Sequence, residues 1–204
     1  MQLPTEAEVT ALHQRYAPTD EVLQVVYMHC QIVWAIAEQL IESENLDVDK
    51  DLVRVGCLLH DIGVYWLFDD GGTATPDLSR YILHGLLGEE VLKAEGLPES
   101  MWRFASHHTG VGLTKADIER QNLPLPHTDF LAETPEEKLV MYADKFHSKD
   151  LRTFTKSHLN SFESIRQNLA KYGEDKVTDF EKLAETFGTP DLENLAQTFR
   201  QPIE

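Results

Sequence analysis

Leu58-Leu59-His60-Asp61-Ile62-Gly63 is the stretch that decides how this chain reads. An apolar helical run ends in an adjacent imidazole and carboxylate, and a glycine follows where a helix would stop. A His-Asp pair is common and by itself says little. It gains meaning from its surroundings, because His29, His84, the His107-His108 pair and Asp144 each lie in a separate apolar segment of helical period. Burying so many of these groups in one interior is costly unless a cation compensates them. A bound metal centre answers that cost.

Outward from this centre the pattern stays helical. Towards the N-terminus, Thr5 and Glu8 read as a capping box for a helix over 6–16, ahead of Pro18. A long helix is expected over 20–44, with Val22, Val25, Val26, Val33, Ile36, Ala37 and Leu40 recurring at three and four residues. His29 falls on that stripe, where a core histidine bonded to a carbonyl is the competing reading. Asp47 or Asp49 caps the helix that carries Leu52, Val53, Val55 and Leu58 into His60-Asp61, and Gly63 is expected to end it. Residues 64–79, with Gly71-Gly72 and Pro76, read as a loop that could serve as a lid or substrate wall. Within it, Tyr65, Trp66 and Phe68 are expected to pack over the core.

Towards the C-terminus, a helix over 79–95 places His84, Leu87, Val91 and Leu92 on one face, with Gly85 and Gly88 permitting close backbone approach. Pro98 opens a short helix that delivers His107-His108, and another helix spans about 114–121. Thr134-Pro135-Glu136-Glu137 combines an N-cap, a first-turn proline and a capping acid. The helix it opens carries Leu139, Val140, Ala143, Asp144 and Phe146 inward. Two further stripes follow, Phe162, Ile165, Leu169 and Tyr172, then Val177, Phe180, Leu183, Ala184 and Phe187. Thr189-Pro190 is expected to cap a last helix. This C-terminal third reads as buttressing, or as the contact of a homodimer, without chemistry of its own. No repeat, linker or β-alternation interrupts the series, so the chain reads as all-α and as one domain over 1–204.

Composition limits the partners. Eighteen Lys+Arg against 35 Asp+Glu give a net charge of −17. Such a surface repels nucleic-acid backbones and anionic membranes, so neither a nucleic acid polymer nor a membrane is expected as partner. A small phosphorylated substrate remains compatible, because bound metal ions reverse the potential locally. Cys30 and Cys57 read as reduced core thiols. The opening Met-Gln-Leu-Pro-Thr-Glu lacks the basic and apolar regions of a signal peptide, and a cytoplasmic location is expected.

Imidazole and carboxylate donors suit divalent transition ions. His29, His60, Asp61 and Asp144 would make one mixed site. Asp61 could bridge to a second ion held by His84 and one histidine of the 107–108 pair. Two such ions activate a water and neutralise phosphate oxygens, which favours hydrolysis of phosphate esters.

The order His29, His60-Asp61, His84, His108, Asp144 around Leu-Leu-His-Asp-Ile-Gly resembles the HD-domain superfamily of metal-dependent phosphohydrolases, in its HDIG subgroup. The resemblance runs from about residue 29 to 145, through His84-Gly-Leu-Leu-Gly, His108-Thr-Gly-Val-Gly-Leu-Thr-Lys and Glu136-Glu-Lys-Leu-Val-Met-Tyr-Ala-Asp144-Lys. It implies a helical bundle with metals at its centre, an HD-type core over about 20–150 and a C-terminal helical extension over about 151–204. It further implies His29, His60, Asp61 and Asp144 as primary metal ligands, with His84 and His108 on a second ion that shares Asp61. One or two divalent ions per chain are expected; manganese, iron, nickel, cobalt, zinc and magnesium are not distinguished. The register of Thr-Gly-Val-Gly favours His108 over His107, which leaves His107 either to support the ligands from outside or to touch substrate. Lys145 is a candidate for pairing with a substrate phosphate, and His13, His127, His147 and His158 read as surface residues.

One position departs from the resemblance. Many relatives carry a lysine or an acid shortly after the His-Asp pair, and here Val64 stands there. The expected activity is hydrolysis of a small phosphomonoester or nucleotide by attack of a metal-bound hydroxide, with Asp61, His107 and Lys145 as catalytic candidates. Two alternatives share the ligand pattern: a di-iron oxygenase of the same superfamily, and a non-catalytic module that binds a nucleotide.

Overall fold

The computed structural model describes residues 3–68 and 75–204, which form ten α-helices, two 3₁₀ turns and one pair of two-residue strands. Helix α1 (Glu6–Tyr16) starts at the expected capping box, Thr5 Oγ1 accepting from the Glu8 N–H at 3.3 Å and the Glu8 carboxylate from the Thr5 N–H at 2.7 Å. Helix α2 (Asp20–Glu44) is capped by Thr19 and closes at Asn45 in left-handed backbone, φ 51°. Its first half contributes Val22, Val26 and Cys30 to one apolar cluster, and its second half Ile32, Val33, Ile36 and Leu40 to another. His29 lies at the passage between the two.

Helix α3 (Lys50–Leu59) begins with Asp49 Oδ1 accepting from the Leu52 N–H at 3.0 Å. It ends at Leu59, earlier than expected. His60 keeps helical dihedrals, Asp61 turns to φ −105° and ψ 11°, and a 3₁₀ turn, Ile62–Leu67, follows. That sparsely allowed backbone region is common among residues of functional sites. Gly63 is therefore not a helix stop. A Cβ there would strike the backbone of both His84 and Gly88, so glycine lets the turn lie directly on helix α4 (His84–Ala94).

The helix expected over 79–95 is divided at His84, its first part being a 3₁₀ turn, Leu78–Leu83. Gly88 presses on α5 (Glu99–Ser106), where an added Cβ would meet Ala105 Cβ at 2.8 Å. The loop expected over 64–79 is helical up to Leu67, and Gly71-Gly72 lie outside the described residues. Tyr65 and Phe68 are buried, while Trp66 is exposed.

Helix α6 (Lys115–Gln121) precedes α7 (Pro135–Asp144), where Thr134 accepts from the Glu137 N–H at 3.1 Å and Pro135 takes the first turn. Leu139, Val140 and Ala143 bury α7 beside α2 and α3 and leave Asp144 at its final position. Helices α8 (Phe162–Ala170), α9 (Glu174–Phe187) and α10 (Leu192–Phe199) pack on the same cluster. Their anchor is aromatic, with the Tyr142 ring 5.1 Å from that of Phe146 and 5.4 Å from that of Phe180. Two expectations fail here. Tyr172 is exposed and does not complete the α8 stripe, and α10 is capped by Asp191 rather than by Thr189-Pro190. Between α7 and α8, His147–Ser148 pairs antiparallel with His158–Leu159. The fold is all-α. Cys30 and Cys57 are buried free thiols, and among the described residues no helix is long and apolar enough to cross a membrane.

Candidate metal centre

The interior between α2, α3, α4, α5 and α7 collects the six expected donors. His29 Nε2 lies 3.1 Å from Asp61 Oδ2, 3.0 Å from Asp144 Oδ1 and 3.2 Å from His60 Nε2. On the other side, Asp61 Oδ1 lies 3.5 Å from His84 Nε2 and 3.7 Å from His108 Nε2, which are 3.0 Å apart. Asp61 thus turns one oxygen to each half of the cluster. Three overlapping triads could hold an ion: His29, His60 and Asp61; His60, His108 and Asp144; and Asp61, His84 and His108.

The tautomers follow from the outer contacts. Nδ1 of His60, His84 and His108 lies 2.7, 2.6 and 2.7 Å from the carbonyl oxygens of Cys57, Tyr81 and Ala105. A carbonyl only accepts, so each Nδ1 carries the hydrogen, and wherever the ring is neutral Nε2 points a bare lone pair inward. Burial holds His84 down to about 4 and His108 well below its usual range, so these two stay neutral at pH 7. Their lone pairs then face each other at 3.0 Å with no hydrogen between them.

Both Asp61 oxygens are fully buried without a well-formed hydrogen bond, Oδ2 being in ion-pair contact with the Lys149 ammonium. Burial pushes the Asp61 pKa up, but Lys149 and His60 outweigh it and keep the carboxyl ionised. Burial opposes the charged form of His60 as well, yet Asp61 draws its pKa well above the usual range. Converging lone pairs and unbonded carboxylate oxygens are what a divalent cation satisfies. The donor set fits such a group.

Other expected residues lie elsewhere. His107 is half-buried outside the cluster, with Nδ1 2.7 Å from Ser106 Oγ, Nε2 3.3 Å from Arg103 and its ring beside Phe130. Lys145 pairs with Asp144 Oδ2 at 2.8 Å and lines a cavity of about 270 Å³ beside the cluster, with Tyr81, Lys149, Asn160, Ile165 and Leu169. The C-terminal extension, read as lacking chemistry, therefore walls the approach to the site.

His13 and His147, read as surface residues, are buried. His13 fills a polar gap, with Nε2 2.6 Å from the Leu58 carbonyl and Nδ1 2.7 Å from the Tyr65 hydroxyl. His147 Nδ1 lies 2.8 Å from His29 Nδ1, which makes it the outer partner of His29 where the other rings use a carbonyl. His127 is exposed and His158 partly so.

Val64 is fully buried, and Lys149, which the sequence reading missed, brings a cation to the site from another segment. After the turn that ends α7 the chain extends from His147, so His147 and Lys149, two residues apart, fall on one side of it.

Comparison with known proteins identifies the family and the fold. The HD domain family model matches residues 26–149, and the chain belongs to that family. Among curated relatives, a tRNA (cytidine(56)-2'-O)-methyltransferase of Picrophilus torridus is 31% identical over 140 residues, 69% of this chain and 36% of that protein. The uncharacterized protein MJ0778 of Methanocaldococcus jannaschii is 38% identical over 122 residues, 58% of this chain and 64% of that one. The chain spans only part of these relatives, about a third of the methyltransferase. In fold it is similar to the HD domain of the L. monocytogenes phosphodiesterase PgpH, at TM-score 0.54 and 19% identity over 94% of this chain and 98% of that one. The same domain in complex with cyclic-di-AMP gives a TM-score of 0.52 at 19% identity, over 96% and 99%.

Proposed function

We propose that this chain is a metal-dependent phosphohydrolase acting on a small phosphomonoester or nucleotide. The observation that supports it most is the facing of the bare Nε2 lone pairs of His84 and His108, 3.0 Å apart, across from a buried Asp61 with an oxygen for each half of the cluster. In this reading His29, His60, Asp61 and Asp144 hold one divalent cation, and Asp61, His84 and His108 a second. When bound, such ions supply an activated water and positive charge for the phosphate oxygens.

The chain's own residues do the positioning. The carbonyls of Cys57, Tyr81 and Ala105 hold Nδ1 of three imidazoles, and His147 Nδ1 is the outer partner of the fourth, His29. Lys145 and Lys149 offer positive charge to a phosphate group entering the cavity, while Ile165 and Leu169 of α8 meet its organic part. His107 takes no part in this scheme and instead secures the end of α5. The methyltransferase name belongs to relatives of which this chain covers about a third, and no methyl transfer is assigned here.

The test is phosphate release from a panel of phosphorylated metabolites with manganese, iron, nickel, cobalt and magnesium in turn. Nucleotides come first in the panel, because the phosphodiesterase of similar fold was crystallised with cyclic-di-AMP. Metal-dependent release from at least one compound is expected. Oxygen uptake by the iron-loaded protein, or nucleotide binding without turnover under every metal, would replace this reading.

A further inference from the structure

Lys149 stands where a metal ion would need to be. Its side chain is 6% exposed, its ammonium is in ion-pair contact with Asp61 Oδ2, and it lies 5.6 Å from the centroid of the Tyr81 ring. The oxygen it contacts is also 3.1 Å from His29 Nε2 and 3.5 Å from His60 Nε2. An ion held by His29 and His60 would draw on the same atom. Two cations crowded onto one carboxylate oxygen in a poorly solvated site repel strongly.

Lys145 makes the contrast. Its ammonium sits on Asp144 Oδ2 at 2.8 Å and leaves Oδ1 facing His29 at 3.0 Å. That pair neutralises the carboxylate from outside and keeps the inner oxygen available. Lys149 takes the inner oxygen itself. It also has room to leave, because it belongs to the extended segment after α7, has a long flexible stem and lines both the cavity of about 120 Å³ beside His84 and His108 and the one of about 270 Å³ beside α8.

We propose that Lys149 is an exchangeable counter-ion: it neutralises Asp61 in the metal-free chain, competes with a divalent cation for that carboxylate, and once displaced offers its ammonium to the anionic group of the substrate in the adjoining cavity. The last step rests on the phosphohydrolase reading; the competition for Asp61 does not. The opposite role, a strut that aims Asp61 at the metal, predicts the reverse response to mutation.

The experiment is calorimetric titration of manganese into the chelator-stripped chain and its Lys149→Met, Lys149→Arg and Lys145→Met variants. Removing the competitor should tighten manganese binding by Lys149→Met about tenfold, the size usual for two ligands coupled through one group. Lys149→Arg should stay near wild type, and Lys145→Met should gain less than Lys149→Met. Metal-free Lys149→Met should also melt below wild type and gain more from manganese. Equal or weaker manganese binding by Lys149→Met overturns the proposal.

Should that variant be too unstable without metal, the loaded protein is equilibrated against a competing chelator, and earlier loss of manganese than in wild type counts equally against it. Inorganic phosphate then probes the last step. It should bind the manganese-loaded variant about tenfold more weakly than loaded wild type, and unchanged binding overturns that step. Failure of wild type to turn over any phosphate ester would remove the phosphohydrolase reading and leave the manganese comparison standing.

Discussion

Asp61 joins the two halves of the cluster, and its substitution should separate them. Asp61→Asn keeps the volume but removes the charge that both ion positions would share. Phosphate-ester turnover is expected to fall at least about 100-fold while far-ultraviolet circular dichroism at room temperature stays close to wild type. Unchanged turnover would contradict the assignment. His147 acts one contact further out, through His29 Nδ1 at 2.8 Å. His147→Phe keeps a ring without the nitrogen, and manganese affinity should drop about 10–100-fold by calorimetry, the usual effect of losing an outer partner.

His13 supplies a pH dependence. Burial lowers its pKa from 6.5 to about 4, so the unfolded chain binds a proton more readily than the folded one between those values. Its contribution is complete above pH 6.5 and is lost as pH falls towards 4, at most about 3 kcal/mol. Urea melts of the metal-free protein at pH 7 and pH 4.5 should show this loss, and His13→Gln should reduce the difference. At this scale the sequence was legible where residue type and helical period agreed, as for His29 and Asp144. It was not legible for His13 and His147, because a buried histidine depends on a partner 45 or 118 positions away.

Elements carry these residues to their places, and their junctions are the sensitive points. Gly63 lies backbone to backbone on α4, at the residue that provides His84. Gly63→Ala should force the 3₁₀ turn off α4, costing about 1–3 kcal/mol in chemical denaturation, and should weaken the His84–His108 side of the cluster before the His29 side. A melting point equal to wild type would show that the contact yields more easily than described. Helix starts were legible in the sequence because Thr5, Asp49 and Thr134 satisfy first-turn N–H groups through local contacts alone. The end of α3 was not. A glycine in sequence signals either a stop or a close approach, and only the position of α4 decides between them.

For the whole molecule, the C-terminal helices belong to the same apolar cluster as α2, α3 and α7. Phe180 is fully buried against Tyr142, Phe146 and Phe162. Phe180→Ala should therefore cost about 3–5 kcal/mol and lower a single cooperative transition; an early, separate transition with the remainder unmoved would mean that 151–204 folds apart from the rest. The sequence showed these helices as amphipathic. It did not show that Asn160, Ile165 and Leu169 border the cavity of the site, since no local pattern marks which exposed face meets a distant cleft.

The central claim is that converging imidazoles and carboxylates exist to hold cations that cleave phosphate esters. Stepwise manganese titration of the chelator-stripped chain, with phosphate release assayed in the same samples, tests it most directly. The account predicts saturation at one or two ions per chain, with activity rising in step and both lost in Asp61→Asn. Manganese binding that survives Asp61→Asn unchanged, or full occupancy with no phosphate released from any ester, would contradict it.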